Sequence, residues 1–212
     1  MKQYLFFALN LLLALEGTSQ AKGDYMWQIG QNSHPQENPY ALSMVLDFNV
    51  LGINLDTFYR GMKMGYFNAS ISDVDGKLLV YSNGCQIKNG DHSNIPETMS
   101  LSPGETDFEW CLSNPSSGYP KFEGGLFISF FSDSIILLLH QRDYVLSNPT
   151  RIITDSLFYS SVQRDGDQYV LHEKTVPIVG DNLTDGNVEA VKASKPGAWW
   201  VIQGEKNSNR YF

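Results

Sequence analysis

The chain has 212 residues, enough for one domain with a sizeable core. Only 18 % of residues are charged and 13 % are aromatic, with Gly, Asn, Ser and Asp scattered between short apolar runs, a composition that favours an all-β protein over a charged helical one. The net charge of −8, with no Lys/Arg cluster, speaks against a nucleic-acid partner and against docking on anionic lipid; its simplest role is solubility.

The N-terminus reads as a targeting segment. Lys2 supplies a minimal positive region, residues 4–15 are a short apolar run, and Ser19-Gln20-Ala21 has the small-x-small form of a cleavage site. As a helix the run would span roughly 18 Å, short of the ~30 Å hydrocarbon core. Residues 1–21 are therefore expected to be a cleaved signal peptide, and residues 22–212 the mature domain. No Cys follows the run, which speaks against a lipoprotein. Ile135 to Leu139 is too short to cross a membrane, so no insertion is expected after signal removal.

Residues 22–39 are polar, with His34-Pro35-Gln36-Glu37-Asn38-Pro39 as an irregular loop and Trp27 and Ile29 as a first short strand. Ser43 to Phe48 and Asp56 to Met62 are the next two predicted strands. Ala69, Ile71 and then Leu78, Val80 alternate with Ser70, Ser72, Lys77 and Leu79 at a period near two, the mark of strands with one face on a core. Between them lies Asp73-Val74-Asp75-Gly76, and Asp-Gly between alternating residues is a strong hairpin signal because Gly takes the positive φ the turn requires. Asn83-Gly84 makes a second turn into a third strand at Cys85-Gln86-Ile87. A meander this small cannot bury its apolar face alone and implies neighbours of the same kind.

Asn68 to Gly84, with Asp47-Phe48 before it, resembles the first blade of a family of secreted, WD40-like β-propellers exported by type IX secretion in gliding bacteria. Lys77 and Val80 depart mildly from that family's pattern. Tyr159 to Val162, Lys174 to Ile178, Gly197 to Ile202 and Asn207 to Tyr211 extend the resemblance over most of residues 25–212. It implies a propeller fold and export to the outside of the cell. It does not imply a ligand, because propellers host many activities.

Residues 89–124 hold few strand signals. Pro96, Pro103, Pro115 and Pro120 with Gly90, Gly104 and Gly118 keep the backbone out of regular ladders, so this is a long connection. Cys85 and Cys111 are the two cysteines; in an exported protein they are expected to be bridged and to staple that connection, the alternative being two buried thiols. Trp110 and Tyr119 are placed to cover the bridge. Strands are then expected at Leu126 to Phe131, Ile135 to Gln141 (apolar on both faces, hence inner), Asp155 to Gln163, Tyr169 to Ile178, Val188 to Ala193 and Trp199 to Gly204, with Arg142-Asp143-Tyr144 leading out and Gly180 to Asn187 as a loop. Hairpins fall near Asp75, Asp133, Asp165 and Pro196. That makes about three four-stranded blades, fewer than the four to eight of a closed propeller. A chain that stops short of closure is the expectation, with an open, curved array of sheets as the alternative. Arg210-Tyr211-Phe212 would then be an uncovered strand edge, prone to self-association.

The chemistry is sparse. Asp73-x-Asp75-Gly76 lacks the third oxygen ligand and the twelfth-position Glu of an EF-hand, position 84 being Gly, so Asp73, Asp75, Gly76, Asn83 and Gly84 read as blade turns. His34, His92, His140 and His172 have no partner at metal-ligand spacing, no Gly-x-Ser-x-Gly occurs, and no phosphate loop is present. His140, closing an apolar strand, is a binding candidate at the rim of a central channel; Trp199, Trp200 and Trp110 are the aromatic candidates. The expectation is a non-enzymatic, cofactor-free scaffold at the cell surface that binds a protein or glycan. The alternative is a glycan-acting hydrolase completed by further blades.

Overall fold

The structure, a computed structural model, describes residues 25–30, 43–50, 52–58, 61–113, 118–147 and 150–212. The expected signal peptide, the His34–Pro39 loop and Pro115 lie outside the described residues. Three antiparallel meanders and a two-stranded hairpin follow one another along the described residues. The first sheet is β1 (Met26–Gly30), β2 (Ser43–Asp47) and β3 (Asn54–Phe58). The second is β4 (Ala69–Ser72), β5 (Leu78–Ser82) and β6 (Ile87–Asn89). The third is β7 (Gly125–Phe130), β8 (Ile135–Ser147), β9 (Thr150–Asp165) and β10 (Gln168–Leu183), and the fourth pairs β11 (Glu189–Lys192) with β12 (Trp199–Ile202). None of these sheets closes on itself. Among the described residues no helix is long and apolar enough to cross a membrane.

The sheets stack face to face with a core in each gap. Met62, Met64, Leu78 and Tyr81, with Met26, fill the gap between the first and second. Ala69, Val80, Ile87, Ile136, Leu138 and Val162 fill the next. Ile128, Leu139, Leu157, Leu183 and Val188, with Trp199 and Val201, fill the last. β8 shows why: Ile136 and Leu138 point to one core and the alternate residues Leu137 and Leu139 to the other. An apolar run without polar alternation is therefore a strand covered on both faces, as expected from its sequence. In β5 a bulge opposite Ile71 and Ser72 turns Leu79 into the same core as Val80, which strict alternation would forbid.

The connection between β6 and β7 is a packed wall rather than an excursion. A short helical turn, α1 (Glu105–Asp107), runs into a π-turn at Phe108–Leu112. Ile95, Leu101, Cys111 and Tyr119 from this segment join the second core. Cys85 and Cys111 are bonded, with Cα atoms 5.2 Å apart. Tyr119 shares their buried cluster, whereas Trp110 is partly exposed. Gly84 is required at the turn beside Cys85: its φ is +80°, and a Cβ there would lie 2.6 Å from that of Tyr119 and 2.7 Å from Phe67 Cγ.

Several boundaries differ from the sequence expectation. The third strand of the second sheet starts at Ile87, with Cys85 in the turn; β3 starts earlier than expected, at Asn54, Gly61 and Met62 are not strand, and residues 59–60 of the expected strand lie outside the described residues. Arg142-Asp143-Tyr144 does not lead out: β8 continues to Ser147 in register with β9. Gly180 to Leu183 is strand, because β10 keeps pairing with β9 through four register shifts that erase the period-two pattern and accommodate Pro177. Arg210 to Phe212 is not uncovered on both sides: it folds back, with Gln203 N and Phe212 N each donating to the other residue's carbonyl and Glu205 N donating to Arg210 O.

The bridge closes a ring of moderate size, for which chain entropy gives about 3–4 kcal/mol. Cys111→Ser should therefore lower the unfolding free energy by about 3 kcal/mol. Free-thiol labelling of the unfolded wild-type protein should find no reactive cysteine; two would refute the pairing.

Candidate functional site

The first strands of the second, third and fourth sheets frame a cleft of about 1200 Å³. β4 contributes Ser70, Ile71 and Ser72, and its turn Asp73 and Val74. β7 and the following turn contribute Phe127, Ser129 and the segment Phe130 to Ser134; the β11–β12 hairpin contributes Lys192, Lys195 and Trp199. Arg164 from the end of β9 completes the wall. Hydroxyls, aromatic rings and three cations thus meet in one place, although the protein as a whole carries −8.

Each wall is fixed by its own strand. Ser70 Oγ donates to Met26 O at 2.8 Å and Asn68 to Gln28 O, tying β4 to β1. Trp199 Nε1 donates to Ser129 O at 3.1 Å, which sets the fourth sheet against β7, and the Lys192 ammonium sits 5.5 Å from the Trp199 ring centroid. Arg164 donates to Tyr169 Oη at 2.8 Å. Asp73 Oδ1 accepts from Asp75 N and Lys77 N, the Asx geometry that sets the turn. The turn after β7 has three consecutive non-glycine residues at positive φ: Phe131 at 51°, Ser132 at 52° and Asp133 at 63°. It holds the Phe131 ring 72 % exposed at the cleft mouth.

The sequence candidates fall in different places. Trp199 lines the cleft; Trp200, its neighbour on the opposite face, is 67 % exposed outside it. Trp110 lies in the π-turn, away from the cleft. Asp73 is in the cleft wall, while Asp75 and Gly76 edge a shallower hollow of about 460 Å³ with Asn49 and Asp91. Asn83 Oδ1 accepts from Cys85 N and Gln86 N, a turn role. Among the described residues no group of three or more His, Cys, Asp or Glu side chains is placed to hold a metal ion.

His140 is not at a rim; it is fully buried. Its Nδ1 lies 2.9 Å from Ser102 Oγ and its Nε2 3.0 Å from Ser160 Oγ. Ser102 donates to Gln141 O at 3.1 Å, and Ser160 Oγ accepts from Thr175 N at 3.0 Å. Every donor is used when the imidazole proton sits on Nδ1 and Ser160 donates to Nε2. Burial pushes the imidazole pKa down to about 3, so the ring is neutral. The polar run His140-Gln141-Arg142-Asp143 reads in sequence as an exit to solvent; the covering segments from distant parts of the chain bury it. Missed altogether were Ser129, Phe131, Arg164, Lys192 and Lys195. Ser70 and Ser72 carried a legible signal, two hydroxyls at i, i+2 on one strand face.

No protein family, curated protein or solved structure matches the chain. Fold and cleft together define a class: an all-β protein of stacked antiparallel sheets with a solvent-open, hydroxyl-lined cleft at the meeting of its first strands.

A buried neutral imidazole predicts acid sensitivity. Its folded pKa lies below its unfolded value of about 6.5, so between pH 6.5 and 3 the unfolded chain binds the extra proton. Stability from this group is complete above pH 6.5 and should fall by roughly 1 kcal/mol or more per pH unit on acidification. Urea unfolding across that window measures it. A His140→Gln variant should lose this part of the slope; an unchanged slope would refute the assignment.

Proposed function

We propose that the protein is an exported, non-enzymatic β-propeller-type scaffold that binds a glycan at its cleft. The observation that carries the reading is the convergence of β4, β7 and β11, the first strand of each successive sheet, on one cleft. Propeller blades stack their sheets face to face and turn their first strands to a common axis. The three layered cores support the same arrangement. So does the outer face of the fourth sheet, which exposes Val191, Trp200 and Ile202, the kind of face that each preceding sheet covers with the next. The apolar N-terminal run and the Cys85–Cys111 bridge support export, and with it the resemblance to type IX-secreted propellers. Serine hydroxyls beside the exposed Phe131 and the half-buried Trp199 suit sugar hydroxyls and sugar faces.

The use of the acids in the turns supports binding without turnover. A hydrolase needs two carboxylates aimed at one bond. Asp73 shares the cleft with Asp133, but its Oδ1 is committed to the turn amides, and Arg164 is held by Tyr169.

Two measurements test the reading. N-terminal sequencing of exported protein should begin at Lys22; an intact Met1 would refute cleavage. Mature protein screened on immobilised glycans should be retained without releasing sugar products, Phe131→Ala should weaken retention about tenfold, and Trp200→Ala should leave it unchanged. Product release would replace the scaffold with the hydrolase. Absence of retention on every glycan would remove the glycan.

A further inference from the structure

Lys121 occupies a position where a lysine is rarely found. It is 2 % exposed, in the segment that feeds β7. Its stem lies so close to Gly124 that a Cβ there would be 2.6 Å from Lys121 Cγ. The ammonium donates to Asp143 Oδ1, to Asp185 Oδ1 at 2.6 Å and to Thr154 Oγ1 at 2.7 Å. The two carboxyls differ in setting. Asp143 is buried, its Oδ1 also accepts from Thr154 Oγ1, and its backbone N–H donates to Tyr119 Oη at 2.9 Å. The side chain of Asp185 is 72 % exposed. One amine thus bridges a dry carboxyl and a wet one.

We propose that Lys121 and Asp143 form an intramolecular amide cross-link, with Asp185 carrying the proton. The exposed Asp185 carboxylate takes a proton from the Lys121 ammonium. The freed amine attacks Cγ of the protonated Asp143 carboxyl, and the N–C bond forms. A second nitrogen proton passes to the departing hydroxyl, the C–O bond breaks, and one water leaves; the third proton stays on the amide. The proton taken first returns to solvent from Asp185. An ammonium and a carboxylic acid become an amide, a water and a proton, with no oxidant and no activated donor.

Three features support the step beyond an ordinary ion pair. Nζ touches Oδ1, so it lies no further from Cγ than that contact plus one C–O bond. Burial holds the Asp143 pKa above its ordinary value even beside Lys121, which favours the protonated, electrophilic acid. Free amines and acids in water stay apart, but groups held in contact reach effective molarities on the order of 10⁵–10⁸ M, enough to reverse the balance. Asp185 adds the route to solvent that a two-residue pair would lack. The link would tie the β6–β7 connection to β8. With the Cys85–Cys111 bonding of the same connection to the second sheet, it would join two sheets covalently, a fitting device for a protein outside the cell.

The test uses the wild-type chain, reduced, alkylated and digested with trypsin. The expected result is no cleavage after Lys121 and one branched species that carries residues 89–142 joined through Lys121 to Asp143, lighter by one water than its parts. Intact mass alone is insufficient, because Asp75-Gly76, Asp165-Gly166 and Asp185-Gly186 can each lose a water as succinimide; those peptides stay linear. Linear peptides ending at Lys121 and beginning at Asp143 would overturn the proposal and leave an ion pair. Asp185→Ala, at an exposed side chain and with no amide to deamidate back to a carboxylate, should fold and bond its cysteines yet remain linear at Lys121. A cross-linked Asp185→Ala protein would overturn the proton-carrier role.

Discussion

Two-sided burial of β8 is the constraint on which the rest depends. Ile136 and Leu138 are fully buried on one face and Leu139 nearly so on the other. Each such side chain contributes about 1.5–3 kcal/mol only while water is excluded from its face. Two sheets must therefore flank the third. The second sheet is too short to cover it, with β6 spanning only Ile87–Asn89. The β6–β7 connection fills the deficit with Ile95, Leu101, Cys111 and Tyr119. A segment that irregular can be buried only if its polar backbone is satisfied. Ser100 N donates to Cys85 O, Tyr119 N to Asn83 O, and Thr175 Oγ1 to Leu101 O.

Where β8 leaves the apolar cores it stays buried and turns polar. Gln141 donates to Thr184 O, Gly186 O and Gln203 Oε1 and accepts from Gly186 N. Arg142 makes a bidentate pair with Asp155 at 2.9 and 2.8 Å. Asp143 faces Lys121. Each of these groups would cost more to leave unpaired than its pairing contributes, so the three residues specify one register rather than add much net stability. They also pin the β10–β11 connection and the Gln203 turn to the third sheet, which holds the fourth sheet in place as the far wall of the cleft.

The parts legible in the sequence were those whose signal is local. Asp75-Gly76 and Asp165-Gly166 marked hairpins because the backbone there needs a positive φ, and Gly76 and Gly166 have it. The unbroken apolar run at Ile135 marked a strand covered twice. Strand ends were not legible where bulges break the period, as along β10. The fate of His140 was not legible either, since a polar run after an apolar strand looks the same whether it exits to water or meets Ser102 from a connection 38 residues away. The cleft is the extreme case. Its residues come from β4, β7, β9 and the β11–β12 hairpin, and only the stacking of sheets brings them together.

The turn after β7 separates rigid presentation from simple exposure. Three successive non-glycine residues in the left-handed region cost on the order of 1–3 kcal/mol each unless the surroundings over-determine them. The surroundings here do so: Ser134 N donates to Phe131 O, Arg164 N to Ser134 O, and Tyr169 Oη to Asp133 O at 2.7 Å. The same Tyr169 accepts from Arg164, whose guanidinium lies 5.2 Å from its ring centroid. A glycine-rich turn would connect β7 and β8 with less strain but would leave the aromatic tip free to move. By fixing the backbone with Arg164 and Tyr169, the fold holds Phe131 in one position at the cleft mouth; a ligand bound there, as proposed, would meet little ordering cost.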